Sequence, residues 1–366
     1  MTLDELRRSI DEIDDALLEL LARRAEIVVR VAEAKREKNV YPHDPEREQR
    51  LLARLRAKGA GRFPADAVER IYREIMSASV AMQAPVTVAY LGPEGTFSHQ
   101  AARQLFGLSA RYLDMGTLTG VLDAVRREAV RYAVVPLANS SEGPVTDTAD
   151  ALLEGGVQLR GEVVLEISHC LLGRAPGLGS VERVYSHPQA LGQCRGWLSK
   201  HLARAQLVQT SSTAAAMREA QADPSAAALG SGICADLYGL SLLRERVQDR
   251  PENATRFGII ALQDAPRTGN DKTTIAFTLR EEHATGSLRR VLELFEDAGV
   301  NLTHIESRPS RQKAWQSTFL ADLEGHREDP HVARALEAIR SCCGTLQLLG
   351  SYPRAAAPSP SVPPSS

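Results

Sequence analysis

Cysteine is scarce in this chain, and what there is forms no pattern. The five cysteines are Cys170, Cys194, Cys234, Cys342 and Cys343. None sits in the paired spacing of a zinc site, and their odd number argues against a disulfide framework. Free thiols are expected. The nine histidines include no HExxH-type pair, so no metal is expected. No apolar run reaches the length of a membrane span. The opening Met-Thr-Leu-Asp-Glu lacks the basic-then-apolar order of a signal peptide. Both absences lead us to expect a soluble, cytoplasmic protein with no membrane partner. Neither sign of charge dominates, with 44 basic against 46 acidic residues and a net charge of −2. A nucleic-acid partner is therefore not expected.

What is present begins with a helix. A chain of 366 residues accommodates two or three domains, and residues 1–84 read as entirely helical. Leu3, Leu6, Ile10, Ile13, Leu17, Leu20, Ile27 and Val31 recur in steps of three and four, the apolar seam of a long amphipathic helix. Arg24 falls on that seam, where a guanidinium is costly unless an anion meets it. Lys35 follows close to three full turns later and points from nearly the same face. Two inward cations predict a pocket for an anionic small molecule. Arg7 lies roughly 25 Å from Arg24 along a straight helix, so it reaches the same ligand only from a second chain. An intertwined homodimer is the expected assembly. Residues Asn39 to His43 break the first helix, Asp44-Pro45-Glu46 starts a second, and a third follows Pro64.

From residue 86 the pattern changes. Short apolar runs at Val86–Tyr90, Tyr132–Val135, Val184–Tyr185, Ala226–Leu229 and Phe257–Leu262 read as buried strands. Helices are expected after Ser98, Pro188, Ser212 and Ser231. This alternation predicts an α/β domain over 86–265 with a mostly parallel sheet and two lobes around a cleft. Residues 272–354 read strand, helix, strand, strand, helix, strand, the ferredoxin-like α+β order. Residues 355–366, nearly all proline and serine, are expected to be a disordered tail.

The run LRRSIDEIDDALLELLARRAEIVVRVAEAK, with HDPEREQRLL and SASVAMQ, resembles the helical chorismate mutases. The resemblance implies that Arg7 of a partner chain, Arg24 and Arg47 bind the two carboxylates of chorismate. It implies that Lys35 and Gln83 act on the ether oxygen. Asp44 and Glu48 would hold the ring hydroxyl and its neighbours, and Ser79 an edge of the substrate. The rearrangement to prephenate is unimolecular. It requires a held conformer and stabilisation of charge on the breaking ether oxygen, and no cofactor.

The segments YLGPEGTFS, VVPLANSSEG, YSHPQALGQC, SSTAAAM and ENATRFGII together resemble prephenate dehydratase, with a two-lobed fold of the periplasmic-binding-protein type. That implies Thr255 as the catalytic hydroxyl, with Asn139, Ser186, Gln193 and Arg256 as binding residues; Thr96, Ser211 and Thr213 are weaker candidates. Two positions depart from the family, where Ala138 and Gly232 replace glutamates expected in the cleft. SLRRVLELFEDAGVNLTHIESRPSR resembles the ACT regulatory domain, implying that phenylalanine binds at Gly286, Ser287, Leu288, Glu306, Ser307, Arg308 and Pro309. Arg289 stands where the family has valine. The order of the three resemblances is that of a bifunctional enzyme of phenylalanine synthesis. Two alternatives stay open: a mutase with an impaired dehydratase domain, and a non-enzymatic amino-acid-sensing dimer.

Overall fold

The structure is a computed structural model describing residues 1–37, 45–250, 252–280, 284–310 and 316–355. Asp44, the expected helix-breaking residues 39–43 and the expected tail from 356 onward lie outside the described residues. The chain divides into two compact units, Met1–Val86 with Phe106–Arg111, and the remainder.

The first unit is built on α1 (Leu3–Glu37), α2 (Pro45–Lys58) and α3 (Ala65–Gln83). α1 begins with Asp4 and Glu5 and ends with Lys35 and Arg36, charges that match its dipole at both ends. Its packing is lopsided: within one chain only Val28 and Ala32 are buried. The seam residues Leu3, Leu6, Ile10, Ile13, Leu17, Leu20, Ile27 and Val31 are all exposed.

Beyond α3 the chain runs β1 (Thr87–Leu91), α4 (Phe97–Phe106), β2 (Arg111–Met115), α5 (Leu118–Arg126), β3 (Tyr132–Asn139), β4 (Gly143–Pro144), α6 (Thr146–Leu153) and β5 (Gln158–Glu166). It then passes through β6 (Cys170–Gly173), β7 (Arg183–Ser186), α7 (Pro188–Gln193), α8 (Arg195–His201), β8 (Gln206–Gln209), α9 (Thr213–Ala222), β9 (Ala226–Gly230), α10 (Cys234–Tyr238) and β10 (Ser241–Arg244). It returns as β11 (Ala254–Ala261). Two sheets result, one per lobe, in the orders β2-β1-β3-β11-β5 and β10-β6-β9-β7-β8. The expectation of a mostly parallel sheet is corrected here, because both sheets are mixed. β1 pairs parallel with β3, but β11 is antiparallel to both β3 and β5. In the second lobe β7 is parallel to β8 and β9, whereas β6 is antiparallel to β9 and β10. The reason is topological: β11 re-enters the first lobe after the excursion through the second. The apolar runs Val88–Ala89 and Tyr132–Val135 are fully sequestered, as their composition requires.

The last elements are β12 (Asp271–Leu279), α11 (Ser287–Asp297), β13 (Leu302–Pro309), β14 (Ser317–Glu324), α12 (Pro330–Ile339) and β15 (Cys343–Pro353). They form an antiparallel sheet in the order β13-β14-β12-β15, the expected βαββαβ arrangement. One face of this sheet packs under α11 and α12 through Ile275, Phe277, Val291 and Phe295. The other face contributes Ala276, Leu320, Leu349 and Tyr352 to the core of the first lobe. The four buried cysteines are free. Burial raises the thiols of Cys170, Cys234 and Cys343 to about 11 and that of Cys194 to about 12, so they are poor nucleophiles.

Candidate functional site

The helical unit carries a cavity of about 480 Å³ lined by Arg24, Lys35, Arg47, Glu48, Ser79 and Gln83, with Leu20, Ile27, Val28, Val31 and Met76 as its apolar wall. Helical spacing places these groups: Ser79 and Gln83 are one turn apart on α3, facing Arg24 and Lys35 on α1. Arg24 donates from Nη1 to the Ser79 hydroxyl, which itself donates to the Ile75 carbonyl at 2.5 Å. Burial pushes the Arg24 pKa down, Tyr72 opposes this, and the positive field of Arg47 adds to the lowering. A desolvated guanidinium beside a second cation favours an anionic ligand. Gln83 donates from Nε2 to the Ser79 carbonyl at 3.2 Å, while its Oε1 is buried without a hydrogen-bond partner among the described residues. Arg7 does not line this cavity; it is exposed near Asp4 at 3.7 Å, one turn away on the same helix.

The second cavity, about 320 Å³, lies in the cleft of the α/β domain. Its lining includes Thr96, Asn139, Glu142, His169, Gln193, Thr213, Ser231, Asn253 and Thr255. Here hydrogen bonds fix the direction of each group. The Asn139 side-chain oxygen accepts from the backbone N–H groups of Ser141 (2.8 Å) and Glu142 (3.1 Å). Its NH₂ is therefore the end that donates to Asn253 Oδ1 and to Thr255 Oγ1, both at 2.8 Å. Thr255 accepts in that bond, so its own proton is left to donate into the cleft. Across the cleft, Glu142 Oε1 accepts from Gln189 (2.7 Å) and Gln193 (3.1 Å). This turns the Gln193 oxygen toward His169 Nε2 at 2.8 Å, so that nitrogen carries the histidine proton. Burial holds His169 below the ordinary histidine range despite the bond to Gln193, and it is neutral at pH 7. Ser231 Oγ donates to the Gly95 carbonyl at 2.7 Å, a second contact across the cleft. Gly95 has a positive φ of 86°, and a Cβ there would meet Cys234 Sγ at 2.8 Å.

Three of the sequence-derived cleft residues are placed elsewhere, among them Ser211, which is exposed and outside the lining of the cavity. Ser186 is buried with its hydroxyl on the Leu229 carbonyl at 3.1 Å and does not line the cavity. Arg256 points away from the cleft because neighbours on a strand face opposite sides: Asn253, Thr255 and Phe257 line the cleft. Its Nε donates to Glu162 and its Nη1 to Asp322, both at 2.6 Å. Burial disfavours this cation, but Tyr352, Asp322 and Glu162 reverse the effect and hold it firmly protonated. The two family departures also fall outside the cleft. Ala138 opposes Arg256 in register and lines a separate small cavity with Glu306 and Asp322, while Gly232 is exposed beyond the end of β9. Glu142, His169 and Asn253 were not singled out from the sequence; of these only Asn253 had a signal, lying two residues before Thr255, just ahead of β11.

In the C-terminal domain, Gly286 caps α11 in the left-handed region at φ 81°. Ser287 is buried, with its hydroxyl on the Ala284 carbonyl at 2.9 Å, and Leu288 packs against the domain core. Arg289 is on the solvent side, paired with Glu293 at 2.7 Å. The four residues of ESRP divide by strand alternation. Ser307 and Pro309 are exposed, whereas Glu306 lines the small cavity beside Arg256 and Arg308 pairs with Asp150 of α6 at 2.9 Å. Among the described residues no cluster could hold a metal ion, and no helix is long and apolar enough to cross a membrane.

Three family models match along the chain: chorismate mutase type II over residues 6–84, prephenate dehydratase over 88–265 and the ACT domain over 281–341. A bifunctional chorismate mutase/prephenate dehydratase of Aquifex aeolicus is 43% identical over 96% of this chain and 98% of its own length. The solved structure of a prephenate dehydratase from Arthrobacter aurescens, in complex with L-Phe, has 36% identity and a TM-score of 0.66, covering 75% of this chain and 94% of that one. A protein described as a novel type of quorum quenching acylase also aligns, at 32% identity and a TM-score of 0.66 over 74% of this chain and 98% of its own. That fold therefore does not fix a single chemistry, but agreement over the full length, mutase unit included, does fix the family. The chain belongs to the bifunctional chorismate mutase/prephenate dehydratases.

Proposed function

We propose that the helical cavity rearranges chorismate and that the cleft converts the resulting prephenate to phenylpyruvate. The observation that carries the first assignment is the desolvated Arg24 facing Ser79 and Gln83 with Arg47 nearby. Arg24 and Arg47 clamp the substrate carboxylates, Glu48 and Asp44 hold the ring hydroxyl side, and Ser79 orients Arg24. Lys35 and Gln83 stabilise negative charge on the ether oxygen as it breaks. Gln83 spends one proton of its amide NH₂ on the Ser79 carbonyl at 3.2 Å, which leaves the second to donate there. Arg7 of a second chain completes the clamp. The homodimer is supported by the bare seam of α1: eight apolar side chains at roughly 1.5–3 kcal/mol each on burial give a large drive for association. A cytoplasmic location accords with this biosynthetic role.

In the cleft, Asn139 polarises Thr255 so that its hydroxyl donates to the departing ring hydroxyl. Carbon dioxide leaves as the ring becomes aromatic. Gln193 and His169, set by Glu142, bind the substrate from the opposite lobe. Phenylalanine binds the C-terminal domain at the start of α11, Gly286 to Leu288, with Ser307 and Pro309, and inhibits the dehydratase. The test is to give the purified protein chorismate and follow prephenate and phenylpyruvate separately, with and without phenylalanine. Absence of phenylpyruvate from supplied prephenate would sink the cleft assignment, and absence of prephenate the helical one.

A further inference from the structure

Thr255 and Arg256 are consecutive on β11 and face opposite ways. On the rear side all three kinds of guanidinium nitrogen are engaged: Nε with Glu162 (2.6 Å), Nη1 with Asp322 (2.6 Å) and Nη2 with the Tyr352 hydroxyl (2.9 Å). The proton directions follow. Arginine only donates, so the Tyr352 oxygen accepts from it. Thr274 Oγ1 lies 2.6 Å from both Asp322 Oδ1 and the Tyr352 hydroxyl. Its proton goes to the carboxylate, and the tyrosine proton goes to Thr274. Arg256, Tyr352, Thr274 and Asp322 thus close a ring of four hydrogen bonds. Lys272, 3.0 Å from Glu162 and 3.9 Å from Asp322, balances the second carboxylate. Glu162 and Asp322 are only 3% and 4% exposed at the side chain.

Asp322, Thr274 and Tyr352 belong to β14, β12 and β15 of the C-terminal domain, so that domain grips the rear of the strand that carries the catalytic hydroxyl. The grip falls at a weak point of the ladder, since the pairing of β11 with β3 shifts register between Arg256 and Phe257. On that side the ladder is irregular, while the pairing with β5 runs in unbroken register from Ala254 to Ile259. Ala138 opposite gives the guanidinium no competing anion. Glu306 of the proposed effector segment lines the same small cavity.

We propose that Arg256 is a positioning residue for the dehydratase reaction, through which the C-terminal domain sets the placement of the Thr255 hydroxyl; this rests on the cleft being the dehydratase site. A shift of β14 against the first lobe moves Asp322, and the rigid fork of Arg256 carries the movement to Thr255 one residue away. A buried, fully paired cluster suits this role because it has discrete arrangements rather than a soft continuum.

The test uses the full chain with Asp322→Asn and Arg256→Lys, and with Tyr352→Phe as a gentler change that removes only the ring hydroxyl. Arg327→Met is the matched control: it deletes another ion pair between these domains, with Asp264 at 3.1 Å, but touches nothing on β11. The expected result is a kcat for phenylpyruvate formation lowered about two- to tenfold in Asp322→Asn and Arg256→Lys, less in Tyr352→Phe, with KM for prephenate within twofold. Calorimetric binding of phenylalanine stays within threefold, while the concentration giving half-inhibition rises at least tenfold. Arg327→Met behaves as wild type in all three. Wild-type kcat and inhibition in both charged-pair variants would overturn the inference, as would equal losses in Arg327→Met. Should Asp322→Asn and Arg256→Lys fail to fold by circular dichroism, Tyr352→Phe decides alone. If the wild-type chain makes no phenylpyruvate, it is the dehydratase assignment that has failed.

Discussion

The two cavities solve different electrostatic problems, and they do so with different degrees of completeness in one chain. The helical pocket is built from cations, with Arg24 desolvated beside Arg47. The cleft is built from amides and hydroxyls whose donors and acceptors are nearly all matched, as in Ser141–Asn139–Thr255 and Glu142–Gln193–His169. A rearrangement without proton transfer needs field and shape, which fixed charges supply. A dehydration needs a hydrogen bond aimed at the leaving hydroxyl, which an oriented hydroxyl can give. The difference also shows in packing: the second lobe closes on its own cores and the first shares its core with the C-terminal domain, whereas α1 leaves its seam uncovered.

The largest effects should separate the two halves. Arg24→Ala is expected to lower mutase kcat/KM at least about 10³-fold while leaving dehydration of supplied prephenate intact. Mixing inactive Arg7→Ala and Arg24→Ala chains should return up to about a quarter of wild-type mutase activity, because half of the dimers are mixed and each holds one intact site. No recovery despite proven subunit exchange would break the contrast between a shared pocket and a private cleft. Thr255→Val should cost the dehydratase about 10²–10³-fold in kcat with the mutase unchanged, and Thr255→Ser should recover much of it.

A smaller effect concerns pH. His99, stacked on Tyr90 at 4.7 Å, accepts at Nδ1 from the Gly95 N–H at 3.3 Å. Burial and then the nearby Arg103 lower it to about 4. Its folded pKa lies below the unfolded value near 6.5, so its contribution is fully present above pH 6.5. That contribution is lost as pH falls toward 4, when the unfolded chain takes up the proton first. Urea unfolding of the α/β domain should show a loss on the order of 2 kcal/mol across that window, and His99→Gln should flatten it. The smallest expected change is at a cleft-side helix cap. Ser212 accepts from the Ala215 N–H at 3.2 Å, and Ser212→Ala should cost about 1 kcal/mol with little effect on mutase turnover.

Much of this was legible in the sequence where one periodicity ran undisturbed. The strands and helices from 271 to 353 could be read because apolar positions alternate cleanly over a helix-packed face. β5 was not foreseen: its Arg160 and Glu162 are buried, and charges at interior positions mask the alternation that marks a strand. Their burial makes sense only beside the Asp264 carbonyl, Arg256 and Lys272, partners about a hundred residues away. Arg24, Lys35, Ser79 and Gln83 could be grouped because helical spacing is local information. The orientation of Arg256 could have been read from Thr255, since adjacent strand residues cannot share a face. That of Ser186 depends on the Leu229 carbonyl and could not. Glu142 and His169 gain their roles only when two lobes meet, a geometry no local pattern encodes.

The uncovered face of α1 also bears on how the molecule comes to be. This helix leaves the ribosome before the lobes do, and in the proposed dimer it is finished only by meeting another copy. On that proposal a newly made chain acquires its second catalytic step as soon as its lobes fold, and its first only after encounter. Under dilution the two steps should part company in the same order, with prephenate consumption outlasting prephenate supply.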